Sequence, residues 1–344
     1  MITSASIGAS GVSPQPLPPS TVARGDASYP LDWWDLIAFY RCQRRWRHAT
    51  AHELNPRVSF GEMVRVLATG SPDLINTYAH RPADFVHTRL ECPSCKSVSP
   101  AKVCRTCALA RVSISEVREW NGSSRFCHAW YDEQAKHNRR IVTDDVWTRG
   151  NAAFTSLTAD PAIMELAFGS TPQQLVTAMW HDSATGLDIP LRTVIASVPS
   201  QFRGYSHCLA TLETTSDAAP HAWNRITMER GHHIAAAFRH MLHAAATGET
   251  RTTHCWIIVE KSFPHLISRR SSTPELLSAG SALVQDILAE YAQCLATDTW
   301  PAFDSDSTDP DTAFTPIAFE PWMANAPSQV TPLDFSFVPE IVEA

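Results

Sequence analysis

The chain has 344 residues, of which 44% are hydrophobic and 18% charged, and its formal net charge is -7. That length allows a full buried core, and the acidic balance excludes a basic field over the whole surface as the means of holding nucleic acid, though not a local positive groove. No apolar run approaches membrane-spanning length, so no membrane role is expected.

Residues 1–29 are rich in Ser, Pro and Ala without a charged-then-apolar signal layout, and a disordered tail on a cytoplasmic protein is the expectation. Residues 31–46 form an amphipathic helical pattern with Trp34, Ile37 and Ala38 on one side, and residues 61–67 a second short helix. Residues 90–112 hold a cysteine cluster and interrupt the flow as an insertion, and residues 142–168 are helical in pattern. Strands are expected at 175–180, at 186–195 with Pro190 marking an edge or bulge, and at 208–213. A fourth, at 254–261, is apolar throughout and therefore central. A helix over 220–248 repeats Ile234, Ala237, Phe238, Met241 and Leu242 at helical spacing, and a long helix over 274–295 closes a domain placed at 30–300. Residues 301–344 read as a loose or disordered C-terminal extension rich in Pro, Asp, Ser and Thr.

Nine cysteines, four of them in two close pairs, point to metal binding in a reducing compartment rather than to disulfides. Cys92-Pro-Ser-Cys95, eight residues, then Cys104-Arg-Thr-Cys107 make two knuckles whose sulfurs can close a tetrahedral zinc site. Such a site is structural, because four cysteines leave no open position for water; iron suits the same sulfurs. Neither knuckle carries the usual glycine after its second cysteine. Lys96, Lys102, Arg105 and Arg111 make the insertion locally basic, either as a solvated surface or as a contact to nucleic acid or a partner protein.

The stretch 208–248 carries a resemblance. Thr211-Leu212-Glu213-Thr214 on a strand, followed by Gly231-His232-His233-Ile234-Ala235-Ala236-Ala237-Phe238-Arg239 on a helix, resembles the metal-binding core of the exodeoxyribonuclease VIII-type (RecE-like) PD-(D/E)XK exonucleases. That family writes Asp-Leu-Lys-Thr and Gly-Tyr-x-x-Gln-x-Ala-x-Tyr at these places. The resemblance extends over about residues 31–300 outside the cysteine insertion, including 257–265 and the Trp300-Pro301 end of the closing helix. It implies an α/β fold with a mixed central sheet flanked by helices, Mg²⁺ chemistry, degradation of one strand of duplex DNA in phage recombination, and ring-shaped homo-oligomers. Every departure falls on a reactive position. Arg65 stands where the family has histidine, Gln174 where it has glutamate, Val194 and Thr211 where it has aspartate, and Glu213 where it has lysine.

Hydrolysis by such a site needs at least two carboxylates converging on Mg²⁺ and a lysine near the attacking water. The chain has only four lysines, Lys96, Lys102, Lys136 and Lys261, against 24 arginines. None follows an acidic residue by two positions. Arg192 or Arg239 could supply positive charge but would make a poor base. Three readings stand. The favoured one is a degenerate exonuclease-fold protein that binds DNA or scaffolds an assembly in phage or prophage recombination. The second is an active Mg²⁺-dependent exonuclease with relocated carboxylates Asp182, Asp188 and Glu213. The third is an interaction module whose zinc knuckle docks a partner protein. Arg41, Arg44, Arg45 and Arg47, interleaved with Trp33, Trp34, Tyr40 and Trp46, are the candidate DNA contacts, weighed against a core helix with a charged outer face. His232, His233, His240 and His243 are expected as surface residues, and Cys127, Cys208 and Cys255 as buried core cysteines.

Overall fold

The computed structural model describes residues 1–7, 22–49, 58–69, 77–168, 174–195, 198 and 207–303. The chain divides into a unit spanning Met1–Ala302 and a second spanning Phe303–Ala344, and the extension expected at 301–344 lies almost wholly outside the described residues.

The first half runs β1 (Ile2–Ile7), α1 (Trp33–Arg41), α2 (Gln43–His48), α3 (Phe60–Thr69), β2 (Tyr78–His80), β3 (Asp84–Glu91), β4 (Val112–Glu119), α4 (Arg125–Lys136) and β5 (Arg140–Val142). The second half runs α5 (Asp144–Thr158), α6 (Pro161–Phe168), β6 (Gln174–His181), β7 (Asp188–Ile195), β8 (Cys208–Thr215), α7 (Pro220–Glu229), α8 (His232–Thr247), β9 (Thr253–Glu260), β10 (Ile267–Ser271) and α9 (Pro274–Thr297).

The fold is mixed α/β, but its strands do not join in the single central sheet that the resemblance implies. Among the described residues they form an antiparallel sheet β1-β6-β7, a mixed sheet β10-β9-β8 with β8 and β9 parallel, a parallel pair β2-β5, and the hairpin β3-β4. One reason lies at the outer edge of β7. Leu31 pairs there, its N–H donating to the Pro190 carbonyl at 2.9 Å and its carbonyl accepting from Arg192 N at 2.9 Å. Pro190, which has no N–H to give, sits on this edge strand as its chemistry requires.

The apolar run of β9 is central in its sheet and buried on both faces. Cys255, Ile257 and Val259 pack with Phe60, Val64 and Leu157 of α3 and α5, while Trp256 and Ile258 turn to Trp223 and Ala236 of α7 and α8. The α8 residues Ile234, Phe238 and Leu242 join the largest core, with Val176 and Trp180 of β6, Leu191 of β7, and Ile287, Leu288 and Tyr291 of α9.

Several expected elements are divided. The helix expected over 31–46 breaks at Cys42, whose backbone is extended at φ -170°. The helix expected over 142–168 becomes β5, α5 and α6. Thr143 caps α5 by accepting from Val146 N, and Asp160 accepts from Ala162 N at 2.9 Å ahead of the next helix. The helix expected over 220–248 splits at Gly231, which sits at φ +73° where an L-residue is strained. The expected disordered tail of residues 1–29 gives a strand at its start: β1 pairs with β6, and Ser6 Oγ lies 2.9 Å from Thr177 Oγ1. Small, polar and β-branched residues suit such an edge, and their composition hides it. Residues 8–21 of that tail lie outside the described residues.

Beside the large core, buried Glu62 of α3 is ion-paired with Arg140 and accepts from Tyr78 Oη at 3.3 Å. Glu62→Ala would remove the carboxylate from Arg140 and Tyr78 and open a void between them, and urea unfolding should show a loss of about 3–5 kcal/mol. At the α8–α9 contact, a Cβ on Gly280 would lie 2.6 Å from the His233 carbonyl oxygen. Gly280→Ala should therefore cost about 1–3 kcal/mol in the same measurement, and an unchanged midpoint would mean the two helices part freely.

Candidate nucleic-acid site and metal knuckle

The β3-β4 hairpin carries the cysteine insertion at its tip. The sulfurs of Cys92, Cys95, Cys104 and Cys107 all lie within 4.8 Å of one another, and Cys95 and Cys104 approach to 3.6 Å. A tetrahedron of sulfurs around zinc, with bonds near 2.3 Å, has edges of about 3.8 Å, so the donor set fits. Each knuckle is folded by its own backbone. Lys96 N donates to the Cys92 carbonyl at 3.0 Å, and Ala108 N donates to the Cys104 carbonyl at 2.8 Å. Lys96 and Ala108, the residues after the second cysteines, adopt φ of +59° and +52°, the conformation that the missing glycines would favour. The Ser97 hydroxyl, 3.5 Å from Cys104 Sγ, is the main influence lowering that thiol to about 5, and the backbone N–H of Cys107 adds to it. Among the described residues this is the one group of three or more His, Cys, Asp or Glu side chains brought close enough to hold a metal.

The strand–turn–helix frame brings a different set together. Gly61 of α3 approaches β8 so closely that a Cβ there would lie 2.5 Å from Thr214 Oγ1. Arg65, one turn further along α3, acts on the charge of Arg239. On α8, the Arg239 side chain is buried, and Glu213, Arg65 and Asp32 all act on its charge. Burial is the largest influence and lowers its pKa, Glu213 opposes that, and Arg65 adds to it, but a guanidinium remains protonated throughout. The guanidinium lies over the indole of Trp33 at 4.9 Å. Its Nε is buried without a hydrogen-bond partner, and among the described residues no carboxylate lies within ion-pair distance of it.

Trp33 and Asp32 are placed by the start of α1. Asp32 accepts from Trp34 N at 2.8 Å and Asp35 N at 3.0 Å, while Asp35 accepts from Asp32 N at 3.2 Å, a reciprocal cap. Burial, then the neighbouring Asp35 charge, pushes the Asp32 carboxyl up to about 6, against the pull of Arg192. Trp33 stacks on Trp34 with centroids 4.0 Å apart, and Trp34 is 61% exposed.

The other sequence candidates lie elsewhere or are otherwise occupied. Thr211 is buried, with its hydroxyl 3.1 Å from His254 Nε2. Gln174 and Val194 lie at one end of the β6-β7 ladder, opposite Ile195 and Leu175 respectively. Asp182 closes the turn at its other end, accepting from Thr185 N at 2.9 Å and Thr185 Oγ1 at 2.8 Å, which holds its pKa low. Asp188 meets His181 Nδ1 at 3.0 Å. Asp182, Asp188 and Glu213 are not brought together as a metal-holding group. Three of the four candidate DNA-contacting arginines also have partners within the chain. Arg41 donates to the Glu229 carbonyl at 2.8 Å, Arg44 to that of Trp300 at 3.1 Å, and Arg47 lies 5.5 Å over the Trp300 ring. Arg45 is exposed.

Cys127, Cys208 and Cys255 are buried as expected, whereas the histidines of α8 are not surface residues. His232, His233 and His243 are buried, because α8 is covered by sheets and helices on nearly every side. The remaining faces of this helix are apolar as well, with Ala235 and Ala236 buried among them.

No protein-family model matches the chain, and no curated protein matches it. Among solved structures it is similar to a candidate exonuclease from Eubacterium rectale, with a TM-score of 0.36 and 9% identity over 61% of this chain and 81% of that one. It is also similar to Rai1 from Scheffersomyces stipitis, solved with (3'-NADP)+ and a calcium ion, with a TM-score of 0.24 and 9% identity over 80% of this chain and 72% of that one. Likeness at this level leaves function to the residues themselves. No helix among the described residues is long and apolar enough to cross a membrane.

Purified protein should carry one zinc per chain by elemental analysis, and Cys104→Ser should abolish that stoichiometry. Ala108→Gly should stabilise the knuckle by up to about 1 kcal/mol, read from the chelator concentration that unfolds it. A second expectation concerns acid. Burial pushes His240 down to about 4 and His254 well below its ordinary value of 6.5. Both are therefore neutral in the folded chain, and their contribution is fully present above about pH 6.5. As pH falls from there toward 4, the unfolded chain takes up protons that the folded one refuses, so stability should drop across that window. Urea midpoints measured along the pH series check this, and His240→Gln should flatten the slope.

Proposed function

We propose that this chain is a degenerate RecE-like exonuclease-fold protein that binds DNA in phage or prophage recombination without cleaving it. The observation that carries this reading is the content of the strand–turn–helix frame. Where metal-dependent hydrolysis needs converging carboxylates and a lysine, this place gathers Arg65 and Arg239 with Glu213 and Asp32, two carboxylates that belong to no metal-holding group among the described residues, and Thr211 stands there hydrogen-bonded to His254. Guanidiniums suit phosphate oxygens by charge and by their planar fork of donors, and they bind phosphate without activating water. The zinc knuckle orders the hairpin tip in this reading and takes no part in chemistry.

Labelled duplex DNA should bind with an affinity that falls steeply between about 50 and 200 mM salt. No nucleotide should be released from linear DNA with Mg²⁺ or Mn²⁺. Metal-dependent release that Glu213→Ala abolishes would replace this reading with an active exonuclease. A second reading, a docking module for a partner protein, is favoured by the hairpin. Its cross-strand neighbours Val86 and Val117 are 56% and 68% exposed, and Val98 and Val103 at the tip are 56% and 52% exposed. Absence of DNA binding even at low salt would favour that alternative.

A further inference from the structure

We infer that Trp34, Trp33 and Arg239 form a subsite for an unpaired nucleotide, its base lying against Trp34 and its backbone phosphate drawn to the guanidinium cluster behind. The inference rests on the DNA-binding reading and narrows it to a single strand or a frayed end.

Three observations converge. Trp34 offers an indole at the surface, 61% exposed, and that indole is held in place by its stack on Trp33 at 4.0 Å with 28° between the planes. A rigid, exposed aromatic face accepts any nucleobase, since every base has a π-face, and pre-stacking on Trp33 removes the ordering cost of binding. Arg239 lies over the same Trp33 ring at 4.9 Å and is only 8% exposed. Its charge is answered by no hydrogen bond or ion pair among the described residues. A buried charge left in that condition is costly unless a partner of opposite sign completes it. The charges around it set the sign of that partner. Arg65 and Arg239 face Glu213 and Asp32, Arg192 acts on Asp32, and burial holds His232 below its ordinary pKa and so toward neutrality. Asp35 also acts on Asp32 but is answered by its own Arg24 at 3.5 Å, so four guanidiniums stand against three carboxylates and leave the cluster positive, and Asp32 loses part of its charge as pH falls toward 6. A flat aromatic beside an electron-rich anion of net charge -1 per unit is the chemistry of a nucleotide in a strand. A paired duplex end offers the phosphate but keeps the base in its own stack.

The test uses the full chain with its zinc. Oligothymidylate, a blunt duplex of matched length, and inorganic phosphate are titrated while tryptophan emission and anisotropy are followed. Oligothymidylate is expected to quench emission and to bind more tightly than the duplex. Trp34→Ala, at an exposed position that leaves the core intact, should weaken it about 5-fold to 100-fold with little change for the duplex. Arg239→Lys, which keeps the charge but not the fork, should weaken the oligonucleotide, and unfolding midpoints show whether the variant is intact. If both DNA forms bind and Trp34→Ala binds as the wild type does, the subsite is overturned while the DNA-binding reading stands. If neither form binds, both fall. Binding of inorganic phosphate as tight as that of the oligonucleotide, unchanged in Trp34→Ala, assigns Arg239 to a free anion and removes the base from the site.

Discussion

Burying the Arg239 guanidinium is the constraint around which the upper part of this domain is arranged. Taking such an ion out of water costs several kcal/mol, and no single partner here offsets it. The Trp33 face contributes up to about 2 kcal/mol in a desolvated setting, and the fields of Glu213 and Asp32 add to it. Those groups come from three separate elements, so the arrangement holds only if α1, β8 and α8 are fixed closely. Glycine permits part of that closeness: a Cβ on Gly231 would lie 2.8 Å from Ile37 Cδ1. Leu31 ties the chain before α1 to β7, and the Asp32–Asp35 cap turns it into the helix.

The same helix shows how a buried charge looks when its partners are complete. Asp35 accepts from Trp46 Nε1 at 2.9 Å and from Tyr29 Oη at 3.2 Å, and Arg24 lies 3.5 Å away. Tyr29, Phe39, Tyr291 and Trp300 meet Trp46 in edge-on or stacked pairs around it. This nest locks α1 and α2 to α9, and Arg44 and Arg47 reinforce it at Trp300. A saturated anion on one side of α1 and an unsaturated cation on the other separate architecture from binding within a single turn of helix.

How far the sequence could be read depended on the range of the interaction involved. The knuckle was fully legible, because thiolate spacing is a local signal and metal geometry leaves few alternatives. The strands β6, β7, β8 and β9 emerged from periodicity and apolar runs to within two residues of their ends. Helix breaks were missed at Cys42 and Gly231 because the side-chain period continues across them while the backbone turns. Residue polarity alone puts the histidines of α8 outside, whereas the helix carries apolar residues on every face and buries them. Arg239 was named in the sequence only as a stray positive charge, and Asp32 and its cap went unnoticed, since a capping box signals a helix start and nothing about what lies opposite.

The amino-acid sequence alone determined a mixed α/β chain with a four-cysteine knuckle and a strand–turn–helix that lacks an acidic residue two places before any lysine. Those properties depend on which residues are present and on their spacing along one segment. Tertiary structure alone decided that Arg65, Arg239, Glu213, Asp32 and Trp33 share one place, that Thr211 turns to His254, and that the strands divide into separate sheets. Each of these depends on segments far apart in the chain, on the side chains that lie between them, and on the low dielectric that burial creates. No local pattern records that environment.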